Sequence, residues 1–140
     1  MAIRGFLNEG RLYRVFASFV LAVVLLWPME VMTAPEPGPL DAQASLELLH
    51  SGTDIFLLDV RTRAEYDRGH IPNAVLIPVD ELERRLAEIP EDRPLVIVCR
   101  TGRRAAWAFE QLRKIRPEQP MWYVRAVPSY GADGSWTIED

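Results

Sequence analysis

The chain has 140 residues, 49% of them hydrophobic, and a formal net charge of −4, a size and apolar content that suit one globular domain. The acidic balance excludes a nucleic-acid binder on bulk charge. One cysteine excludes an internal disulfide, and with two histidines it leaves too few soft ligands for a zinc site.

From the amino terminus, Arg4, Arg11 and Arg14 make a positive start, and Val15–Met29 runs without a charge until Glu30. A basic region followed by a short apolar run reads as a secretory signal peptide. A buried helix fits less well, because the run is apolar on every face and the proline-rich "TAPEPGP", Thr33–Pro39, follows it. An uncleaved membrane anchor stays open, although the run is short of the ~20 apolar residues that a spanning helix needs. The reading is therefore a signal peptide or N-terminal anchor over 1–34, a linker over 35–39 and a folded domain over 40–140. The positive end stays in the cytoplasm and the domain faces out. Export is expected, to the periplasm after cleavage near Ala34, or with the domain anchored in the inner membrane.

After the linker, Asp41–Gly52 predicts a short helix, capped by Asp41 and ended by Gly52. Ile55–Val60, "IFLLDV", is a continuous apolar run of the kind that forms a strand buried on both faces. "TRAEYDRG" gives a helical turn or two, and Ala74–Val79 a second buried strand. Asp80–Ile89 predicts an amphipathic helix with Leu82, Leu86 and Ile89 on one stripe. Leu95–Val98, "LVIV", is a third strand. Arg103–Ile115 is the longest helix, stopped before Pro117, and Met121–Val127 is a fourth strand. Strands alternating with helices predict an α/β fold, a parallel sheet covered on both faces. Ligands in such folds gather at the carboxyl ends of the strands.

Cys99 stands at one such end, in "VIVCRTGRR", directly before a helix. The backbone must turn sharply here, and Gly102 permits it. The first N–H groups of the following helix lack intrahelical partners and point back at the loop. With the helix dipole they form an anion cradle, which favours a thiolate and can hold an anionic substrate. Arg100, Arg103 and Arg104 add guanidinium forks suited to oxyanions. Against this stands a buried, inert cysteine. The strand end, the glycine and the arginines favour a nucleophile at the rim of the cradle, only partly buried. A Cys–His protease fits poorly, since neither His50 nor His70 carries a local signature; His70 reads as a residue that orders a turn.

The residues "LLDVRTRAEYDRGHIPNAVLIPVDEL" (57–82), followed by "VIVCRTGRRA" (96–105), resemble the rhodanese family of sulfurtransferases. The resemblance covers roughly Leu40 to Trp136. It implies a rhodanese-like three-layer sandwich, α/β in class, with a mainly parallel five-stranded sheet and helices on both faces. It also implies a persulfide on Cys99: the thiolate attacks the outer sulfur of a donor such as thiosulfate, sulfite leaves, and cyanide or a thiol takes the sulfur, without a cofactor. Cys99 matches the family nucleophile, Gly102 the loop glycine and Arg104 the basic residue closing a six-residue loop. Arg100, Thr101 and Arg103 fall at variable, substrate-facing positions. Asp59 and Arg61 match the upstream aspartate and arginine, for which a structural ion pair or turn cap is the expected role. The form, one domain behind an export signal, is similar to the small periplasmic rhodaneses of bacteria. One departure stands out. The family shows a Gly-Gly pair before a late tryptophan, and here "VPSYGADGSW" (127–136) has single glycines at Gly131 and Gly134, so a reshaped C-terminal loop is expected.

Two other functions remain in play. A Cys-loop phosphatase of related fold would need a loop one residue longer than Cys99–Arg104. A non-catalytic binding or scaffold module would have little use for the cysteine. The partners expected are a small anionic sulfur donor and a thiol or cyanide acceptor, with a protein sulfur acceptor as a variant. With one cysteine, any resolving thiol must come from outside.

Overall fold

The structure, a computed structural model, describes residues 35–140. The charged start and uncharged run expected to direct export lie outside the described residues. Gly38–Leu40 forms β1, and Ala42–His50 forms α1, capped by Asp41, whose carboxylate accepts from the Ala44 N–H at 2.9 Å. Phe56–Asp59 is β2, Arg63–Asp67 is α2 and Val75–Leu76 is β3. Leu95–Val98 is β4, Arg103–Ile115 is α3 and Met121–Val124 is β5. A hairpin of β6 (Val127–Tyr130) and β7 (Trp136–Glu139) closes the chain.

Five strands make one sheet in the order β1-β5-β4-β2-β3, and every pairing is parallel. β4 is therefore central. Its alternate residues feed two cores: Leu95 and Ile97 pack under α3, while Val96 and Val98 pack on the other face with Leu48 of α1 and Ile138 of β7. Each such buried aliphatic side chain contributes ~1.5–3 kcal/mol, which is why the run carries no polar residue. The expected three-layer α/β architecture with a five-stranded sheet is the architecture observed.

Four expectations need correction. Of residues 35–39, expected as a linker, Gly38 and Pro39 belong to edge strand β1, paired with Trp122 and Tyr123 of β5. Proline is tolerated there because an edge strand has one unpaired side. Upstream, the carbonyls of Pro35 and Glu36 both accept from the Trp122 indole at 2.9 Å. The helix expected over Asp80–Ile89 is instead two 3-10 turns, Val79–Glu81 and Leu86–Glu88. Leu82 and Ile89 still reach the core, each 2% exposed, and the carbonyls of Leu86 and Ile89 accept from the Arg116 guanidinium at 3.1 and 2.9 Å. The strand expected over Ala74–Val79 pairs only at Val75 and Leu76. The strand expected through Val127 ends at Val124, and the stretch taken for a loop is largely the β6–β7 hairpin, antiparallel with Tyr130 opposite Trp136.

The topology brings the carboxyl ends of β2 and β4 side by side. Asp59 and Val98 are register partners, and the Val60 N–H donates to the Val98 carbonyl at 3.0 Å. Cys99 is the next residue.

Candidate active site

Four residues, Cys99 to Gly102, connect β4 to α3. Gly102 takes φ +76° as the residue before the helix. A Cβ added there would meet the Arg125 carbonyl oxygen at 2.8 Å and its Cα at 3.0 Å. Both the left-handed backbone and the close approach of the chain after β5 therefore require glycine. The first helical bond runs from the Ala106 N–H to the Gly102 carbonyl at 2.8 Å, so the N–H groups of Arg103, Arg104 and Ala105 face back toward the loop. Cys99 is fully enclosed, at 0% exposure, within the core under α3. The partial burial expected from sequence is thus corrected: the loop wraps the thiol instead of leaving it at a rim.

The three arginines divide in two. Arg100 and Arg103 are exposed. Arg104 is half-buried and held by Glu65 through a bidentate pair, Nη1–Oε2 at 2.7 Å and Nη2–Oε1 at 2.8 Å. Glu65 also lies 3.8 Å from the Arg100 Nε. Glu65 is itself fixed by a capping box at the start of α2. Its carboxylate accepts from the Thr62 N–H at 3.0 Å, and the Glu65 N–H donates to the Thr62 hydroxyl at 3.3 Å. The Arg104 guanidinium, against the opposing pull of burial, holds the Glu65 carboxyl well below the usual carboxylate range. Arg104 is raised in turn, first by its hydrogen bonds to Glu65, with a smaller contribution from the Cys99 sulfur beside it. The loop mouth opens into a pocket of about 760 Å³ lined by Glu65, Val79, Asp80, Arg100, Thr101, Arg103, Arg104 and Trp107. Two carboxylates thus face three guanidiniums, and the surroundings of the loop are less positive than its sequence implies.

Asp59 and Arg61 occupy the neighbouring strand end. The Arg61 Nη2 donates to the Asp59 Oδ2 at 2.7 Å and to the Gly69 carbonyl at 2.8 Å, and its N–H donates to the Asp59 Oδ1 at 2.9 Å. The residues are 0% and 4% exposed. Burial works against the Arg61 charge, but hydrogen bonding and attraction to Asp59 outweigh it and raise its pKa. The pair ties the β2 end to the loop before β3 and does not line the pocket.

The structure therefore brings Cys99, Arg100, Thr101, Gly102, Arg103 and Arg104 together, as their adjacency dictates, and sets Asp59 and Arg61 at the carboxyl end of the adjacent strand, β2. Of the loop residues, Arg100, Thr101, Arg103 and Arg104 line the pocket and Cys99 and Gly102 do not; Glu65, Asp80 and Trp107 line it too, although the sequence reading does not single them out. For Glu65 a signal was present: Thr62 followed three residues later by a glutamate is the capping-box spacing. Trp107, 46% exposed, is one turn along α3 from Arg103. His70 orders its own turn, stacked on Tyr66 at 3.8 Å with Nδ1 3.1 Å from the Tyr66 carbonyl.

A family model described as a rhodanese-like domain matches residues 41–130. The chain is 42% identical over 91 residues to an HTH-type transcriptional regulator, Rv0324, of Mycobacterium tuberculosis, a match covering 64% of this chain and 38% of that protein. It is 39% identical over 73 residues to a sulfurtransferase of Allochromatium vinosum, covering 52% of this chain and 68% of the relative. Among solved structures, the human single-domain sulfurtransferase TSTD1 superposes with a TM-score of 0.53 at 27% identity, covering 66% of this chain and 90% of that one.

Proposed function

The chain belongs to the rhodanese-like domain family, and from that premise we propose that it is a thiosulfate sulfurtransferase working through a persulfide on Cys99. One observation carries the reading. The sole cysteine follows the central strand of the sheet, under the first turn of a thirteen-residue helix, with Arg104 fixed beside it by Glu65.

The chemistry balances without a cofactor. The Cys99 thiolate attacks the outer sulfur of thiosulfate and forms an S–S bond. The bond within thiosulfate breaks, and sulfite leaves with the electron pair. Cyanide or a thiolate then takes the outer sulfur, releasing thiocyanate or a new persulfide and restoring the Cys99 thiolate. The free N–H groups at the start of α3 and the Arg104 fork receive negative charge. Gly102 makes the turn that aims those groups, while Arg100, Thr101 and Arg103 meet the donor at the mouth. Asp59 and Arg61 hold the adjacent strand end in place. A protein persulfide carrier is the variant acceptor. Residues 1–34 export the domain in this reading, to the periplasm or to the outer face of the inner membrane. Fractionation with N-terminal sequencing tests that, and a soluble cytoplasmic full-length protein would count against it.

The test of the chemistry is intact-mass analysis. Thiosulfate is expected to add one sulfur, cyanide to remove it, and Cys99→Ser to abolish both the added mass and turnover. Residual turnover in purified Cys99→Ser protein would place the chemistry elsewhere.

A further inference from the structure

The pocket at the loop mouth is larger than thiosulfate or cyanide needs. Its volume is about 760 Å³, within the ~300–1,000 Å³ of pockets that enclose drug-sized ligands, whereas those two anions have only a few heavy atoms. Its lining is also of two kinds. Arg100 and Thr101, the two residues after Cys99, and Arg103 and Arg104 at the start of α3 suit an anion. Asp80 and Trp107 line the same pocket and do not.

Asp80 is fixed in place but unpaired. It lies on the 3-10 turn Val79–Glu81, where the Val79 N–H donates to the Val60 carbonyl, just past β2, at 3.3 Å. Val79 packs against the cluster that holds Cys99, on the α3 face of the sheet. The next residue, Glu81, pairs with Arg84 at 3.5 Å and Arg85 at 3.1 Å, and Glu65 is taken by Arg104. Asp80 makes neither an ion pair nor a side-chain hydrogen bond among the described residues. Arg103, in the same pocket, is likewise without a partner there, so the two opposite charges do not meet. An unpaired carboxylate at this mouth works against an anionic donor. Trp107 stands one turn beyond Arg103 and Arg104 and is 46% exposed. The other exposed large apolar side chains, Val75, Ile115 and Val127, are aliphatic, so the indole is the one ring face offered among them, and it is offered in the pocket. A carboxylate and an indole face are the two groups that hold an organic ammonium, one by charge and one through the π system.

Resting on the sulfurtransferase reading above, we propose that Asp80 and Trp107 form a subsite for an ammonium group on the sulfur acceptor, which makes the acceptor an aminothiol. Cys99 is fully enclosed, so the acceptor sulfur enters on an unbranched arm while its ammonium stays in the pocket. The acceptor thiolate attacks the outer sulfur of the Cys99 persulfide. The S–S bond to Sγ breaks, its electron pair returns to Sγ, and the acceptor leaves as a persulfide. The ammonium also lowers the pKa of its own thiol, which favours the attacking thiolate. Donor and acceptor thus use opposite charges of one pocket in turn, thiosulfate the arginines and the aminothiol Asp80.

The test uses the full chain, loaded with thiosulfate and freed of excess donor. Loss of the added sulfur is followed by intact mass in single turnovers. Cysteamine is compared with mercaptoethanol, and aminobutanethiol with mercaptobutanol, at equal thiolate concentration. Each pair differs in ammonium against hydroxyl, and the two pairs bracket the reach to Asp80. In wild type the amino member of at least one pair is expected to discharge the persulfide about three- to fivefold faster, the scale of one exposed ion pair, and added salt to shrink that preference. Asp80→Asn is expected to bring the rates to equality and to load faster from anionic thiosulfate, while Asp80→Glu keeps the preference. Trp107→Leu is expected to lower it about twofold. Equal rates within both pairs in wild type, or a preference that survives Asp80→Asn or Trp107→Leu undiminished, overturns the proposal and leaves the persulfide reading standing. Failure of the wild type to gain sulfur from thiosulfate overturns both.

Discussion

Replacing Glu65 with glutamine removes the charge that holds Arg104 while keeping the side-chain length. Gln can still take part in the Thr62 capping box, so the change falls mainly on the bidentate pair with Arg104, at 2.7 and 2.8 Å. Hydrogen bonds to a charged group contribute ~1.5–3 kcal/mol when enclosed, whereas fully exposed pairs contribute under ~1 kcal/mol. The side chains are 16% and 30% exposed, so we expect a loss of about 1–2 kcal/mol at pH 7. For a domain of about a hundred residues, that lowers Tm by roughly 5–15 °C. The carboxyl pKa is depressed in the folded protein, so its contribution is fully present above the unfolded value of ~4.3 and is lost as pH falls toward the folded value. The loss runs at about 1.4 kcal/mol per pH unit. Urea titrations of wild type and Glu65→Gln should therefore show a constant gap from about pH 6 to 8 that shrinks steadily as pH falls below about 4.3. A gap of equal size at pH 7 and pH 3 would refute the reasoning, because the lost interaction would then not be the carboxylate charge.

Arg104→Ala should slow sulfur transfer from thiosulfate at least tenfold, because Glu65 is left facing the anionic donor without its partner. The double variant with Glu65→Gln should recover part of that rate, and strict additivity in the cycle would dissolve the pair as a unit. Asp59→Ala leaves the buried Arg61 unpaired and should cost about 3–5 kcal/mol in urea unfolding; a cost under about 1 kcal/mol would mean that water reaches the arginine. Gly102→Ala forces a side chain against the Arg125 backbone at a φ of +76°, so persulfide formation should fall steeply together with Tm. Wild-type behaviour there would mean that the loop can turn by another route.

Local chemistry in the chain determined much of this protein. Contiguous apolar runs placed β2 and β4, Asp41 capped α1, and α3 was bounded within "CRTGRR" and before Pro117 with the ends later observed. The loop residues 99–104 had to come together because they are consecutive. What the tertiary structure decided lies between residues far apart in the chain. Pro39 reads locally as linker, and only its pairing with Tyr123 makes it a strand. The amphipathic stripe of 80–89 was right in its buried residues, Leu82 and Ile89, and wrong in its backbone, which forms two 3-10 turns whose last carbonyls are met by Arg116 from beyond α3. Glu65 meets Arg104 across 39 residues, and Tyr130 reaches Arg61 only because a hairpin folds back over β2. Periodicity, caps and turns are set by neighbours within a few residues and can be read from order alone. The charge balance around Cys99 and its full enclosure depend on which strands become adjacent, and that is settled by packing the two cores against one sheet.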